Sequence, residues 1–291
     1  LQGDTLWIGA LNGLYTYQLQ NRKLSPLGTK RNGLPHNTIY SIIRTGDNQI
    51  YVGTYNGLCR YIASNGKFEK IPLPVNSSQS NLFVNSLLED TGRQCIWIGT
   101  EGYLFQYFPS TGQMKQTEAF HNNSIKSLAL DGNGYLLAGT DNGLYVYHND
   151  VTPLQHIIHD SRNIQSLTNN IIWNIFADQE HNIWLGTDYG ISLSRYNSAL
   201  QFIPISQITG TGDGNQFYSL FRDSKGFYWF GGTNGLIRFT DPAGDKHNAI
   251  WYRMGDKTYP LSHNRIRHIY EDKEQQLWIA TDGSINRYDY A

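Results

Sequence analysis

The chain has 291 residues, with 23 Lys and Arg against 24 Asp and Glu, a formal net charge of −1 and only 16% charged residues. This balance gives no global attraction to nucleic acid, whose partners show a basic excess. No apolar run approaches the ~20 residues of a membrane-spanning helix, and no basic-then-apolar start suggests a signal peptide. Aromatics at 13% beside 29 Gly suit strands and tight turns better than helices.

The first recognisable element is LWIGALNGLYTY at residue 6: an alternating apolar run, a turn, and a second alternating run. It returns as IYVGTYNGLCRY at 50, IWIGTEGYLFQY at 96 and LLAGTDNGLYVY at 136. Further copies are IWLGTDYGISLSRY at 183, YWFGGTNGLIRF at 228 and LWIATDGSINRY at 277. The spacings of 44, 46, 40, 47, 45 and 49 residues match the period of β-propeller blades. Asn12-Gly13, Asn56-Gly57, Asn142-Gly143 and Asn234-Gly235 lie between the paired runs, and such dipeptides predict type I′ hairpins with φ > 0 at both residues.

Six copies are preceded by another apolar strand that ends in an Asp/Gly/Asn-rich turn. Examples are FVNSLLEDTG at 83, IIWNIFADQEHN at 171, QFYSLFRDSKG at 216 and RIRHIYEDKEQ at 265. Calling this strand a, the LWIGT run b and the following run c, a fourth strand d follows most copies, as in FEKIPLP and IWYRM. The expected fold is all-β: a seven-bladed β-propeller of four-stranded antiparallel blades forming a single domain over 1–291. The first copy lacks strand a and the last lacks d. Together with the absent initiator Met, this suggests a fragment of a longer protein, with the propeller incomplete at both ends.

One position of strand b holds Trp7, Tyr51, Trp97, Leu137, Trp184, Trp229 and Trp278, which reads as a wedge packed between neighbouring blades. The small residue two places on (Gly9, Gly53, Gly99, Gly139, Gly186, Gly231, with Ala280 the exception) makes room for a close neighbour. Cys59 and Cys95 fall in different copies without metal-type spacing and read as buried thiols, a disulfide remaining open.

The pattern running from Asn170-Ile171-Ile172 through Asp178 to Ile183-Trp184-Leu185-Gly186-Thr187 and Gly190-Ile191 resembles the two-component regulator propeller repeat. The stretch from Asp272 through Leu277-Trp278-Ile279-Ala280-Thr281 is similar. The resemblance implies the periplasmic sensor of a hybrid two-component system, in which an oligosaccharide ligand controls polysaccharide-utilisation genes through a histidine kinase. It also implies an adjacent propeller and an Ig-like domain in the same protein, a homodimer, and membrane attachment through a segment outside this chain. No cofactor and no nucleic-acid partner is expected of this domain.

Positions that vary between blades yet stay large or polar are the candidates for recognition. The residue after the first apolar one on strand a is Tyr40, Asn85, Lys126, Trp173, Tyr218 and Arg267. Aromatic faces stack on sugar C–H groups, while Arg and Asn donate to hydroxyls or carboxylates; variation at a blade-to-blade position is the alternative reading. Preceding loops add Arg31, His36, Asn37, His121, Asn122, Asn169, Asn215, His263 and Arg265. Trp173 lies outside the structural Trp slot, so stacking and core packing are both open for it.

Other signals carry less. His156 and His159 sit three apart on a strand and point to opposite faces, which argues against a metal site. GTGDG at 210 lacks the Lys-Ser/Thr of a phosphate loop. The Asp90, Asp178, Asp223 and Asp272 turns read simply as chain reversals. Two rivals to a glycan sensor remain: a non-binding scaffold for docking or dimerisation, and a propeller lyase or glycosidase, which would need paired carboxylates at one mouth.

Overall fold

The computed structural model describes residues 4–28, 32–74, 82–116, 120, 123–148, 152–163, 165–196, 216–240 and 249–290, with 200–203 for the backbone alone. Among them there is no α-helix, and every sheet is antiparallel and runs in chain order. The seven sheets are the blades of a seven-bladed β-propeller. The chain divides into two compact units, Leu1–Leu128 with Asp150–Thr152, and Ala129–Asn149 with Pro153–Ala291.

The first unit holds three blades. Blade 1 is β1 (Thr5–Ala10), β2 (Gly13–Gln18) and β3 (Lys23–Gly28). Blade 2 is β4 (Ile39–Arg44), β5 (Ile50–Thr54), β6 (Gly57–Ile62) and β7 (Lys67–Ile71). Blade 3 is β8 (Val84–Asp90), β9 (Cys95–Thr100), β10 (Leu104–Phe108) and β11 (Gln113–Gln116). The unit boundary falls within β12 (Ile125–Leu130). The second unit continues blade 4 with β13 (Leu136–Thr140), β14 (Gly143–Tyr147) and β15 (Gln155–Ile157). Blade 5 is β16 (Ile172–Ala177), β17 (Ile183–Thr187), β18 (Gly190–Ser194) and β19 (Leu200–Ile203). Blade 6 is β20 (Phe217–Arg222), β21 (Tyr228–Gly232), β22 (Gly235–Phe239) and β23 (Ile250–Tyr252). Blade 7 is β24 (Ile266–Glu271), β25 (Leu277–Thr281) and β26 (Ile285–Tyr288).

The b strands are the most deeply covered. All residues of β5, β9, β13, β17 and β21 are buried, because each strand is paired on both edges and packed on both faces. The wedge reading of the tryptophans holds: the Trp184 ring lies 5.2 Å from Tyr228 and 5.8 Å from Phe230 of the next blade, and Trp229 lies 4.9 Å from Tyr288. Cys59 and Cys95 are both buried and free, and burial pushes the Cys59 thiol up to about 12.

The Asp turns do more than reverse the chain. Asp90, Asp178, Asp223 and Asp272 are buried, and each accepts the indole N–H of its own blade's tryptophan. The Nε1–Oδ2 distances are 3.0 Å from Trp97, 2.8 Å from Trp184, and 2.7 Å from both Trp229 and Trp278. The other carboxylate oxygen closes the turn, as where Asp223 Oδ1 accepts the backbone N–H of Lys225 at 3.1 Å and Phe227 at 2.8 Å. Some clamps also reach the next blade: Tyr290 donates its hydroxyl to Asp223 Oδ2 at 2.7 Å. Burial opposes ionisation of Asp90, yet donors from Trp97 and Arg93 outweigh it and hold its carboxyl below the usual value.

The b–c hairpins differ from the type I′ expectation. Gly57, Gly143 and Gly235 have φ of +97°, +97° and +112°, but Asn56, Asn142 and Asn234 keep negative φ. In blades 2 and 4 the reason is a threonine: Thr54 and Thr140 Oγ1 donate to the carbonyls of Gly57 and Gly143 at 2.8 and 2.9 Å and accept the N–H of Asn56 and Asn142 at 3.1 and 2.9 Å. The left-handed glycine then aims its own N–H at the segment leading into the next blade, Gly57 to Leu82 O at 2.9 Å and Gly143 to Asn170 O at 2.7 Å. A single αL glycine after a two-residue turn therefore serves both the hairpin and the blade-to-blade tie.

Candidate functional site

Strand a enters blades 2, 3, 5, 6 and 7 through a bulge. The a–b register shifts between Ile39 and Ser41, Val84 and Ser86, Ile172 and Asn174, Phe217 and Ser219, and Ile266 and His268. The residue left unpaired in these five blades is Tyr40, Asn85, Trp173, Tyr218 or Arg267. A bulge bends the strand and re-aims one side chain, so the positions that vary most between blades are displayed by a distortion of the backbone. The bulge is stabilised by the residue after it: Ser41 Oγ donates to Val84 O at 3.0 Å, Asn174 Oδ1 accepts from Leu220 N at 3.2 Å, and Ser219 Oγ accepts from Ile269 N at 3.1 Å.

In the second unit the displayed residues of blades 5, 6 and 7 form a continuous ladder. The Trp173 and Tyr218 rings meet edge to face at 5.1 Å. The Arg267 guanidinium lies 5.8 Å from the Tyr218 ring centre, and Tyr218 donates its hydroxyl to Gln216 Oε1 at 2.5 Å. Each end of the ladder is held by a carboxylate from the b–c turn of its own blade. Trp173 Nε1 donates to Asp188 Oδ1, while Arg267 grips Asp282 through Nε at 2.5 Å and a second nitrogen at 3.3 Å. Arg265 stands 3.8 Å from the same carboxylate. Burial raises the Tyr218 hydroxyl pKa; Arg265 and Arg267 oppose that shift, and Asp188 and Asp282 add to it.

Hydrogen bonding from Arg267 holds the Asp282 carboxyl below the usual carboxylate range, against a burial effect that would raise it. Because the folded pKa is depressed, the pair persists above the ordinary carboxylate pKa and is lost only as pH falls through the lowered value. We expect the Arg267 side-chain N–H resonance to stay fixed between pH 7 and 5 and to move only below about pH 4. Movement between pH 6 and 5 would contradict the pairing.

In the first unit Tyr40 is 43% exposed and lies 6.0 Å from Phe83, which packs 4.2 Å from Tyr55. The His36 ring lies 4.8 Å from Tyr55, and its Nδ1 accepts the N–H of Thr38 at 3.0 Å. The neutral imidazole therefore carries its proton on Nε2. Burial raises the Tyr40 hydroxyl, and the Glu101 charge adds to it. Asn85 donates to Ser124 Oγ at 3.0 Å, and Lys126 is half-buried on β12.

Several loop candidates turn out to shape the backbone. His263 Nδ1 accepts the N–H of Arg265 at 3.0 Å, as His36 does two residues before Thr38, and Asn169 Oδ1 caps Ile171 N at 2.8 Å. Arg31, His121, Asn122 and Asn215 lie outside the described residues. Sequence reasoning missed Asp188 and Asp282. Each follows the Gly-Thr or Ala-Thr of its own repeat, a position occupied by Tyr55, Glu101 and Asp141 in other copies, and that shared position is the signal that could have found them. Among the described residues no three or more His, Cys, Asp and Glu side chains converge as a metal site.

The family model for the two component regulator propeller matches residues 33–56, 166–189, 211–234 and 260–283. Each match takes in strand a with its bulge, the a–b turn (opened by Asp178, Asp223 and Asp272 in blades 5, 6 and 7 and by Thr45 in blade 2) and strand b with its Gly-Thr or equivalent. The chain therefore carries two component regulator propeller repeats. In particular, it is similar to the extracellular domain of BT4673 from B. thetaiotaomicron, a protein assigned to the hybrid two component systems: identity is 93% over 100% of this chain and 39% of that one, with a TM-score of 0.66. Another structure of that domain, there assigned to a one component system, is 92% identical with the same coverage and TM-score.

A histidine kinase, P4 of Formosa agariphila, is 27% identical over 282 residues, taking in 88% of this chain and 19% of that protein. The chain thus spans well under half the length of these relatives. It is a propeller of the kind found in the extracellular domains of such systems. Streptogramin B lyase, 14% identical with a TM-score of 0.73 over 99% of this chain and 90% of its own, shares the fold.

Proposed function

We propose that this propeller is a ligand-sensing module on the periplasmic side of a hybrid two-component system, and that the blade 5–7 ladder takes up a glycan-derived oligosaccharide. The parent protein would relay occupancy to a histidine kinase controlling polysaccharide-utilisation genes. What carries the reading is the repeated bulge, which in five blades displays Tyr40, Asn85, Trp173, Tyr218 or Arg267 at one position of an otherwise repeated frame. The Trp173 and Tyr218 rings offer faces for sugar C–H groups, and Arg267, Asp188 and Asp282 offer donors and acceptors for hydroxyls. An adjacent propeller, an Ig-like domain and a second copy of the parent are its structural partners in this reading.

The test is calorimetry of the chain against oligosaccharides cut from plant and host glycans. One member should bind, and Trp173→Ala should weaken it at least about tenfold, the equivalent of one stacking contact. Arg267→Lys, which keeps the charge but loses the two-point grip on Asp282, should weaken it less than Arg267→Ala. Binding that survives both Trp173→Ala and Arg267→Ala would remove the ladder from the site.

The scaffold reading draws on a separate observation. Leu154, Ile158, Ile250, Met254 and Tyr259 are exposed on or beside the outer strands of blades 4 and 6, where a neighbouring domain would dock. The lyase reading has less behind it, since Asp188 and Asp282 are engaged by Trp173 and Arg267 rather than poised as an acid–base pair.

A further inference from the structure

The sequence holds seven Asn-Gly dipeptides, beginning at residues 12, 32, 56, 65, 133, 142 and 234. Such a dipeptide is open to one covalent change. The glycine peptide nitrogen can attack the asparagine side-chain carbonyl, because no Cβ crowds its approach. The fold treats these dipeptides unequally. At the b–c turns of blades 2, 4 and 6 the nucleophile is committed elsewhere. Gly57, Gly143 and Gly235 are buried, and their N–H groups donate to Leu82 O, Asn170 O and Asn264 O at 2.9, 2.7 and 2.8 Å. Each bond ties one blade to the segment leading into the next, so freeing the nitrogen means parting two blades.

Asn65 is placed otherwise. It stands exposed at the tip of the hairpin joining β6 to β7, where Ile62 pairs with Lys67. Its Oδ1 accepts the Lys67 backbone N–H at 2.9 Å. This bond curls the side chain back along its own main chain, towards the Gly66 nitrogen. Gly66 has a φ of +69°, and a Cβ built there would meet nothing within 4 Å. The space around the dipeptide is open. The Gly66 N–H donates to Ile62 O at 3.0 Å, a bond inside the tip that local fraying opens while the blades stay together.

We propose that Asn65 is a site of spontaneous deamidation, held by its turn in a geometry that favours the reaction, whereas the turns at Asn56, Asn142 and Asn234 suppress it. Solvent base takes the Gly66 N–H proton, and the nitrogen attacks Asn65 Cγ. The Lys67 N–H, already on Oδ1, donates to the oxyanion as it forms, the arrangement that stabilises acyl-transfer intermediates. The bond from Cγ to the side-chain nitrogen then breaks, and that nitrogen leaves as ammonia with a proton from water. Water opens the resulting five-membered imide at either carbonyl, giving aspartate or isoaspartate. No electron changes hands. Both products place a carboxylate two residues from Lys67 and add one negative charge to the formal −1 of the chain. Isoaspartate also lengthens the main chain by one carbon, within the turn that sets the β6–β7 register.

The test is tryptic peptide mapping by mass spectrometry after the folded 291-residue chain has stood in mildly alkaline buffer, with the chain unfolded in urea as reference. In the folded chain Asn65 should convert at a rate no lower than in urea. Asn56, Asn142 and Asn234 should convert at least about tenfold more slowly than in urea, since their glycine nitrogens are released only when blades separate. Slower conversion of Asn65 in the folded chain than in urea would mean that its turn protects it, and would overturn the proposal. So would folded-state rates at Asn56, Asn142 and Asn234 equal to that at Asn65, because the blade-to-blade bonds would then shield nothing.

Discussion

Trp229→Ala is expected to lower the unfolding free energy by about 3–5 kcal/mol, the range for truncating a buried aromatic to leave a cavity. Trp229 is fully buried, with Tyr252 and Tyr288 rings at 5.8 and 4.9 Å and the Arg238 guanidinium 5.8 Å from its ring centre. Those neighbours belong to blades 6 and 7, so the cavity opens between two sheets and neither can collapse into it alone. A polar loss adds to the apolar one. Asp223 keeps Tyr290 and two backbone donors but loses the indole, leaving a buried carboxylate oxygen with one donor fewer.

Trp229→Phe separates the terms: it retains most of the ring and should cost about 1–3 kcal/mol for the lost hydrogen bond and the smaller volume. Asp223→Ala should be as damaging as the Trp truncation, and the double variant should cost less than the sum, because both remove the same bond. Urea unfolding followed by both circular dichroism and fluorescence reads these values, coincident curves licensing the two-state treatment. A Trp229→Ala cost below about 1 kcal/mol would mean that the tryptophan slot is not what joins the blades.

The second large effect is Gly53→Ala. A Cβ there would stand 2.2 Å from Ser41 Oγ and 2.6 Å from both the Val84 carbonyl oxygen and Val84 Cγ1. A side chain can swing away, but the Val84 carbonyl is the acceptor of the Ser41 hydroxyl that braces the blade 2 bulge. The added methyl must therefore push blade 3 off blade 2 or break the brace. Overpacking of this kind costs about 1–3 kcal/mol. Gly92→Ala is the contrast within the same unit. Its Cβ would find only Asp90 Oδ1 at 3.5 Å, and its φ is not left-handed. That change should be neutral or stabilising by up to about 1 kcal/mol through the unfolded chain. Equal destabilisation of the two variants in matched melts would show that close approach at Gly53 is not the cause.

How much of this could be read from the residues alone varied with the range of the interaction. Alternation, the period near 45 and the recurring Trp and Gly are properties of single strands, and they identified the b and c strands of every blade in place. The Asp–Trp clamp was not legible. Asp223 and Trp229 are six residues apart across a turn, a spacing with no meaning on a helix or a straight strand, and only the closed turn brings carboxylate to indole. The hairpin type was misread at Asn56-Gly57 because Thr54, two residues upstream, supplies the cap that makes a left-handed Asn unnecessary. In the candidate site, comparing copies found Trp173, Tyr218 and Arg267, since they vary where the frame does not. It was applied to strand a alone and so passed over Asp188 and Asp282, which the a–b register brings to them from 15 residues further along the chain.

The bulge and the clamp sit at opposite ends of one strand. Trp173 and Asp178, Tyr218 and Asp223, and Arg267 and Asp272 are each five positions apart, about 17 Å along an extended chain. In the proposed reading, binding preference and blade cohesion are written in separate letters of the same short word. Duplicated genes could change the first letter blade by blade, and so diversify what they recognise, while the last letter holds the architecture constant. A family built this way can spread across many chemistries with little loss of foldability along the route.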